Sequence, residues 1–130
     1  MKNKNKIMIT NNKYVYDKYK DKFEIIYDEN FTYLDVLECV RNKIHDGHEL
    51  ITHPLSGSVK PNETPYKTVM ISTKKEVLDF DSLKIIEDSI ATYKKFVGIK
   101  ATPDWPESIL DDFRVIDLSI IDNAIGLGRM

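Results

Sequence analysis

Two hydrophobic periods alternate along the sequence, and this alternation restricts the chain to an α/β fold. Short apolar runs of the kind that form strands occupy residues 7–10, 23–27, 49–52 and 67–72. Segments with the composition or the apolar spacing of helices occupy residues 13–22, 33–46, 81–97 and 107–125. The strand runs are apolar rather than alternating, as in a sheet that is covered on both faces. We therefore predict a single three-layer α/β/α domain with a four-stranded, mainly parallel sheet, or a mixed one if the last strand, which no helix precedes, returns antiparallel.

Capping residues set the expected ends of two of the helices. Thr32, with Asp35 three residues later, has the pattern of a capping box, and Gly47 is placed to end the same helix. Gly98 is placed to end the longer helix at residues 81–97. The cluster Thr10, Asn11 and Asn12 after the first strand is typical of a turn or of a helix N-cap.

The last helical segment, residues 107–125, has an irregular pattern. Its apolar spacing is interrupted around residues 114–117, so we predict two short helices, with Asp117 capping the second. Residues 1–6, which are basic, and the tail at residues 126–130 are expected to be frayed ends of the domain that spans residues 1–130.

Length and composition exclude several classes of protein. The chain has 130 residues, 42% hydrophobic and 31% charged, which is the size and composition of one globular domain. Its net charge is −2 with both signs interspersed, so neither nucleic acid nor a membrane surface is an expected partner. Cys39 is the only cysteine and falls among apolar helix positions, which favours a buried thiol in a reducing cytoplasm. No pattern in the chain calls for a cofactor, and the sequence leaves the oligomeric state open.

The segment THPLSGSVKPNETPY, residues 52–66, is the strongest candidate for a functional loop. It holds three of the five prolines of the chain, and each restricts its own φ angle and that of the residue before it. A polar loop this long in a small domain is usually functional or disordered, and the prolines argue against disorder. We therefore expect a stiff loop that forms a binding site beyond the end of a core strand.

The candidate ligand-binding residues share a position beyond the carboxyl ends of predicted strands, where open α/β sheets bind ligands. They are Asn11 and Asn12 after the first strand, and His53, Ser56, Gly57, Ser58, Lys60, Asn62 and Glu63 in the loop. The loop offers hydroxyls, a lysine, and backbone amides around a glycine. These groups suit a phosphate or carboxylate ligand. The Gly-Lys-Ser/Thr ending of a phosphate-binding P-loop is missing, and so is a glycine-rich dinucleotide fingerprint.

Histidines raise two further possibilities. His45 and His48 lie on either side of the expected helix end at Gly47 and need not share a face, so we predict no metal site from them and His53. His53 alone, at the start of the loop, is either a structural hydrogen-bonding residue or an acid or base near neutral pH, with Glu63 as a possible companion.

Three segments resemble signature regions of the GrdX family. They are the loop THPLSGSVKPNETPY, LKIIEDSI at residues 83–90 and IDLS at residues 116–119. The resemblance extends over roughly residues 7–125. Members of this family are small proteins encoded with the glycine reductase system of amino-acid-fermenting anaerobic bacteria. The family has no established reaction, so the resemblance implies a metabolic context and transfers no catalytic residue to this chain.

Two hypotheses of different class follow from these observations. In the first, which we favour because no catalytic constellation is visible, the chain is an accessory or regulatory protein. It binds a small anionic metabolite, or a glycine reductase component, through the loop at residues 52–66. In the second, it is a small enzyme that acts on a phosphate- or carboxylate-bearing metabolite, with His53 as acid or base.

Overall fold

An open mixed sheet with its first strand in the centre organises the protein. The computed structural model describes residues 2–57 and 59–127, and in that part of the chain it has three strands and four helices. The elements are β1 (Asn3–Thr10), α1 (Lys13–Tyr19), β2 (Phe23–Tyr27), α2 (Tyr33–His45), β3 (Thr68–Ser72), α3 (Phe80–Ile99) and α4 (Glu107–Leu127). The sheet order is β2-β1-β3. β1 runs parallel to β2 and antiparallel to β3, so the last strand returns antiparallel and the sheet is mixed.

The helix signals in the sequence are confirmed at three places. Thr32 and Asp35 form a capping box at the start of α2, and Gly47 follows its end with a φ of 105°. Asn12 is the N-cap of α1, where its side chain accepts a hydrogen bond from the Tyr14 N–H. The expected stop at Gly98 is wrong by one residue. α3 continues to Ile99, because Gly98 keeps a negative φ and the chain turns away only at Lys100.

Each face of the sheet carries its own hydrophobic cluster. Residues of β1 and β3 that point to one side, among them Ile9 and Ile71, pack with α2 and α3. Met8 and Met70 point to the other side, where they pack with residues of α1 and α4 such as Ile121. Among residues 2–57 and 59–127, none of the helices combines the length and the apolar character that crossing a lipid bilayer requires.

The predicted strand at residues 49–52 does not form, so the predicted four-stranded sheet is wrong. Leu50 makes an isolated antiparallel bridge with Ile71. The N–H groups of Ile51 and Thr52 then both reach the same acceptor, Met70 O, while Ile51 turns outward with 44% of its surface exposed. The Thr52 side chain accepts a hydrogen bond from Met70 N, so a side-chain oxygen takes the place of the backbone oxygen that would accept this bond in a regular strand pair.

The break predicted within residues 107–125 is also wrong, because α4 is one continuous helix. Asp117 lies in its interior and does not cap a second helix. Regular structure extends into both of the expected tails, residues 1–6 and 126–130. β1 begins at Asn3, whose N–H donates to Lys22 O (2.6 Å), and α4 includes residues 126 and 127. Residues 1 and 128–130 of the expected tails lie outside the described residues.

Candidate functional site

Buried polar side chains tie β1, β3 and α4 together at one edge of the sheet. We call Thr10, Asn12, Thr68 and Asp117 the polar centre. Asp117 Oδ1 accepts from Thr68 N (3.1 Å), and its Oδ2 accepts from Thr68 Oγ1 (2.7 Å) and from Asn12 Nδ2 (3.0 Å). Thr10 Oγ1 lies 2.7 Å from Thr68 Oγ1 and accepts from Asn12 N. Asp117 is only 5% exposed, and these hydrogen bonds replace the ones to water that its carboxylate loses on burial.

A buried lysine lies next to the polar centre, under the loop. Lys67 Nζ donates to Ser56 O (2.9 Å) and lines a small cavity of about 10 Å³ with Asp117, Tyr33 and other residues. Burial lowers the pKa of Lys67, and the nearby Asp117 carboxylate opposes that change. Burial raises the pKa of Asp117, and this is partly offset because the hydrogen bonds from Asn12 and Thr68 and the positive charge of Lys67 lower it. A cavity this small holds about one water molecule, so it is not itself a metabolite site.

Asn11 joins the first strand to the far end of the loop. Its side-chain nitrogen donates to Phe31 O (2.9 Å) and Pro65 O (2.8 Å), and its oxygen accepts from Lys67 N (2.9 Å). Both N–H donors of this amide and its oxygen are therefore already hydrogen-bonded to other groups of the protein. Asn11 thus contacts Pro65 at the end of the loop and Lys67 just after it, and it has a positioning role.

Two adjoining concavities open at this edge, where β1 and β2 end and β3 begins. Their volumes are about 390 and 420 Å³, and they share Asn11, Glu29 and Tyr66. We call them together the strand-end cleft. The first concavity is polar and also includes Lys13, Tyr14, Asn30, Glu107 and Arg114. The second is more aromatic and also includes Phe31, Tyr33, Thr64, Tyr93 and Thr102. This is the position at which open α/β sheets bind ligands.

Arg114 is the best-held cation in the strand-end cleft. Its guanidinium carbon lies 5.9 Å from the centre of the Tyr14 ring and 5.0 Å from that of Tyr66. Its Nη1 donates to Glu107 Oε1 (2.6 Å), and this hydrogen bond is the main cause of the raised pKa of Arg114. The arginine side chain is 18% exposed and the glutamate side chain 75%. A fixed guanidinium thus has an exposed carboxylate as its partner.

A separate, smaller concavity lies between the loop and the segment after α3. We call it the loop pocket. It has a volume of about 170 Å³ and is lined by Lys60, Asn62, Glu63, Lys100, Pro103 and Trp105. Trp105 Nε1 donates to Glu63 O (2.7 Å), and Asn62 Nδ2 donates to Lys100 O (3.0 Å). These two bonds hold the second half of the loop against residues 100–105.

The structure does not bring the predicted site residues together at one place. Asn11 lines the strand-end cleft, Asn12 belongs to the polar centre, and Ser56 lines the small cavity. Lys60, Asn62 and Glu63 line the loop pocket. Gly57 has a φ of 110°, a conformation that suits glycine, and Ser58 lies outside the described residues.

The histidines are separated as well. His53 is exposed, its Nδ1 accepts from Leu55 N (3.0 Å), and it lines none of the concavities described above. His48 is buried with Nδ1 2.7 Å from Ser72 O, and His45 is exposed at the end of α2. Residues 2–57 and 59–127 contain no group of three or more His, Cys, Asp or Glu side chains that is placed to hold a metal ion.

The site residues predicted from the sequence do not include Asp117, Lys67 or Arg114. A signal for Asp117 was present, because it lies four residues from the apolar Phe113 and Ile121 in a helical segment and so falls on the inner face. Lys67 and Arg114 carried no comparable signal. Their roles depend on contacts with loop and helix residues that are distant in the sequence.

Fold and site together define a small α/β protein with a ligand-sized cleft at the strand ends of an open mixed sheet. The chain belongs to the GrdX-like protein family, whose family model matches residues 7–126, nearly the whole chain. Searches of curated proteins and of solved structures give no match to this chain.

Proposed function

We propose that this is an accessory or regulatory protein of glycine reductase metabolism that binds a small anionic metabolite in the strand-end cleft. Membership of the GrdX-like family supports the metabolic context. The cytoplasm is the proposed compartment, in keeping with a sequence that has one cysteine and so forms no disulfide within the chain. The proposed ligand is a carboxylate or phosphate, and the proposed anchor is Arg114.

The pairing of Arg114 with Glu107 is the observation that carries this proposal. Two tyrosine rings hold the guanidinium in place, so it is oriented before any ligand arrives. The Glu107 carboxylate is an exposed anion that already occupies the donor edge of the guanidinium. A ligand carboxylate or phosphate can accept the same N–H groups, and moving an exposed side chain aside costs little.

The neighbouring charges suit a compact ligand rather than a large polyanion. Lys13 adds a second cation to the concavity, whereas Glu29 and Glu107 add two carboxylates. A ligand with one or two negative charges is attracted by the arginine and lysine, but a strongly charged one meets repulsion from the glutamates. His53 lies apart from the cleft, and the proposed function does not use it.

Thermal unfolding in the presence of phosphate, sulfate, acetate or acetyl phosphate tests the anion site. A ligand at a hundredfold over its dissociation constant stabilises the folded protein by ~2.7 kcal/mol. Glu107→Gln should tighten binding about two- to fivefold, because the competing carboxylate is removed. Arg114→Gln should abolish the shift.

Arg41→Gln is the matched control. Arg41 is another partly buried arginine paired with an exposed glutamate, Glu87, and it lies on α2 outside the strand-end cleft. The control should bind anions as the wild type does. An equal shift in wild type and Arg114→Gln, or no shift with any of the anions, would contradict the proposed site. Co-purification from cell extract tests the proposed link to glycine reductase metabolism. If no glycine reductase component is recovered, the result counts against that link.

A further inference from the structure

The two concavities of the strand-end cleft differ in charge. The one that contains Arg114, which we call the polar concavity, also has Lys13 and two glutamates, Glu29 and Glu107. In the other, the aromatic concavity, Glu29 is the only charged side chain among the described lining residues. An anionic group therefore meets cations in the polar concavity and none in the aromatic one. The two concavities suit different parts of one molecule.

The aromatic concavity has a wall of half-buried apolar side chains. These side chains come from four separate segments of the chain, namely the connection before α2, the end of the loop, α3 and α4. They are Phe31, Pro65, Tyr66, Tyr93 and Leu110. Covering apolar surface that is in contact with water is favourable. The uncharged part of a ligand is therefore expected to be apolar and to lie in this concavity.

Tyr93 favours a planar ring as that apolar part. Its own ring stacks on the ring of Tyr33 at a centroid distance of 5.0 Å and an interplanar angle of 8°. Tyr33 is only 5% exposed and covers one face of the Tyr93 ring, so the exposed part of Tyr93 lies on its other face or at its edge. Aromatic rings pair favourably in both of these arrangements, offset-stacked and edge-to-face.

Tyr66 connects this wall to the anion anchor. It lines both concavities, and the guanidinium carbon of Arg114 lies 5.0 Å from the centre of its ring. The cation and the apolar wall are thus about one ring apart. The concavities have volumes of about 390 and 420 Å³, and each is within the range of about 300–1,000 Å³ that drug-sized ligands occupy. A ligand larger than acetate or phosphate therefore has room to bind.

We propose that the ligand of the strand-end cleft is an aryl acid, a molecule in which a carboxylate or phosphate is joined to one aromatic ring. The inference rests on the proposed function, because it uses Arg114 as the anion anchor. The anionic group binds Arg114 in the polar concavity, and the ring lies in the aromatic concavity against Tyr66 and Tyr93.

Phenylacetate and acetate form the test pair, because they differ only in the ring. Titration of the ¹⁵N-labelled protein, followed by NMR, measures both dissociation constants. Phenylacetate should bind at least about tenfold more tightly than acetate, since binding buries its ring. Arg114→Gln should weaken the binding of both ligands.

The outcomes separate this inference from the proposed function. Equal affinities for phenylacetate and acetate would overturn the aryl acid but leave the anion site in place. If Arg114→Gln binds phenylacetate as tightly as the wild type does, the ring binds without the anchor, and the combined ligand is overturned. If neither acid binds the wild type, the inference fails together with the carboxylate site on which it rests.

Two leucines on α4 provide matched variants that locate the ring. Leu110 lines the aromatic concavity, whereas the half-buried Leu118 packs with the cluster around Met8 and Met70 and lines neither concavity. Leu110→Ala should weaken phenylacetate binding about three- to tenfold and leave acetate binding unchanged. Leu118→Ala should change neither. Weaker phenylacetate binding in both variants, or in neither, would overturn the placement of the ring.

Nuclear Overhauser effects in the wild type check the same placement without a substitution. The ring protons of bound phenylacetate should give cross-peaks to the methyl groups of Leu110 and none to those of Leu118. Cross-peaks to Leu118, or to neither leucine, would contradict a ring in the aromatic concavity.

Discussion

The two faces of the sheet are buried by different means. The face covered by α2 and α3 has eleven buried residues in one hydrophobic cluster. The face covered by α1 and α4 has six, and the polar centre lies beside them at the strand ends. Hydrophobic burial is non-directional, whereas hydrogen bonds constrain both distance and angle.

The difference explains why the candidate site lies on the side of α4. Asp117 binds Asn12 and Thr68, and these contacts fix how α4 is rotated against β1 and β3. Arg114 lies three residues earlier on the same helix, and Asn12 Nδ2 also donates to its backbone oxygen (2.9 Å). The polar centre therefore places the guanidinium at the cleft. An apolar contact would fix the rotation of the helix less strictly, because hydrophobic burial is non-directional.

The largest effect should come from removing the carboxylate of the polar centre. Asp117→Ala leaves Thr68 N without its acceptor, removes one of the two acceptors of Asn12 Nδ2, and leaves Lys67 without a nearby opposite charge. We expect a loss of ~3–5 kcal/mol in the free energy of unfolding, measured by urea denaturation. The exposed Asp112→Ala on the same helix should change stability by less than about 0.5 kcal/mol. A cost below about 1 kcal/mol for Asp117→Ala would show that the polar centre contributes little to stability.

A somewhat smaller loss is expected on the apolar face. Ile86 is fully buried at the centre of α3, so Ile86→Ala should destabilise the protein by ~2–5 kcal/mol through lost burial and a residual cavity. Ile99→Ala, at the exposed end of the same helix, is the control and should have almost no effect. Arg114-dependent anion binding should survive in Ile86→Ala at temperatures where it stays folded. An unchanged denaturation midpoint would mean that this helix face is not a structural part of the core.

The smallest expected change in stability comes from replacing Lys67, and this change should depend on pH. Lys67→Met removes one buried hydrogen bond to Ser56 O and should cost about 1 kcal/mol at neutral pH. Because the pKa of Lys67 is lowered in the folded protein, the unfolded chain binds more protons and the wild type gains stability as pH rises toward about 10.4.

The stability difference between wild type and Lys67→Met should therefore widen with rising pH below that value. Urea denaturation at a series of alkaline pH values measures it, with the exposed Lys60→Met as the reference. A difference that stays constant, or narrows, would show that Lys67 is at least as easily protonated in the folded state as in the unfolded chain.

Local signals in the sequence predicted what local interactions determine. The capping box at Thr32 and Asp35, the N-cap at Asn12 and the strand Phe23–Tyr27 depend on residues a few positions apart, and all are confirmed. A carboxylate near a break in periodicity suits a helix start, so the pattern predicts a cap at Asp117. Its actual partners are 105 and 49 residues away, and no local pattern records them.

The same limit applies to the loop and its sites. Prolines and polar side chains marked residues 52–66 as unusual, and the far end of that loop does form part of the strand-end cleft through Thr64 and Tyr66. The cleft also needs Arg114 from α4, and the loop pocket needs Lys100 and Trp105 from the segment between the last two helices. Which distant residues meet the loop depends on the path of the whole chain.

The contact between Asn12 and Asp117 has a consequence for the order of events during synthesis. Asn12 leaves the ribosome before its carboxylate partner on α4, which is translated 105 residues later. A nascent chain that ends before α4 has neither Asp117 nor Arg114, so it can bury the α2 and α3 side of its sheet but cannot assemble the cleft. The proposed anion site is thus complete only after Arg114 and Asp117 have been translated, and a product truncated before α4 lacks it.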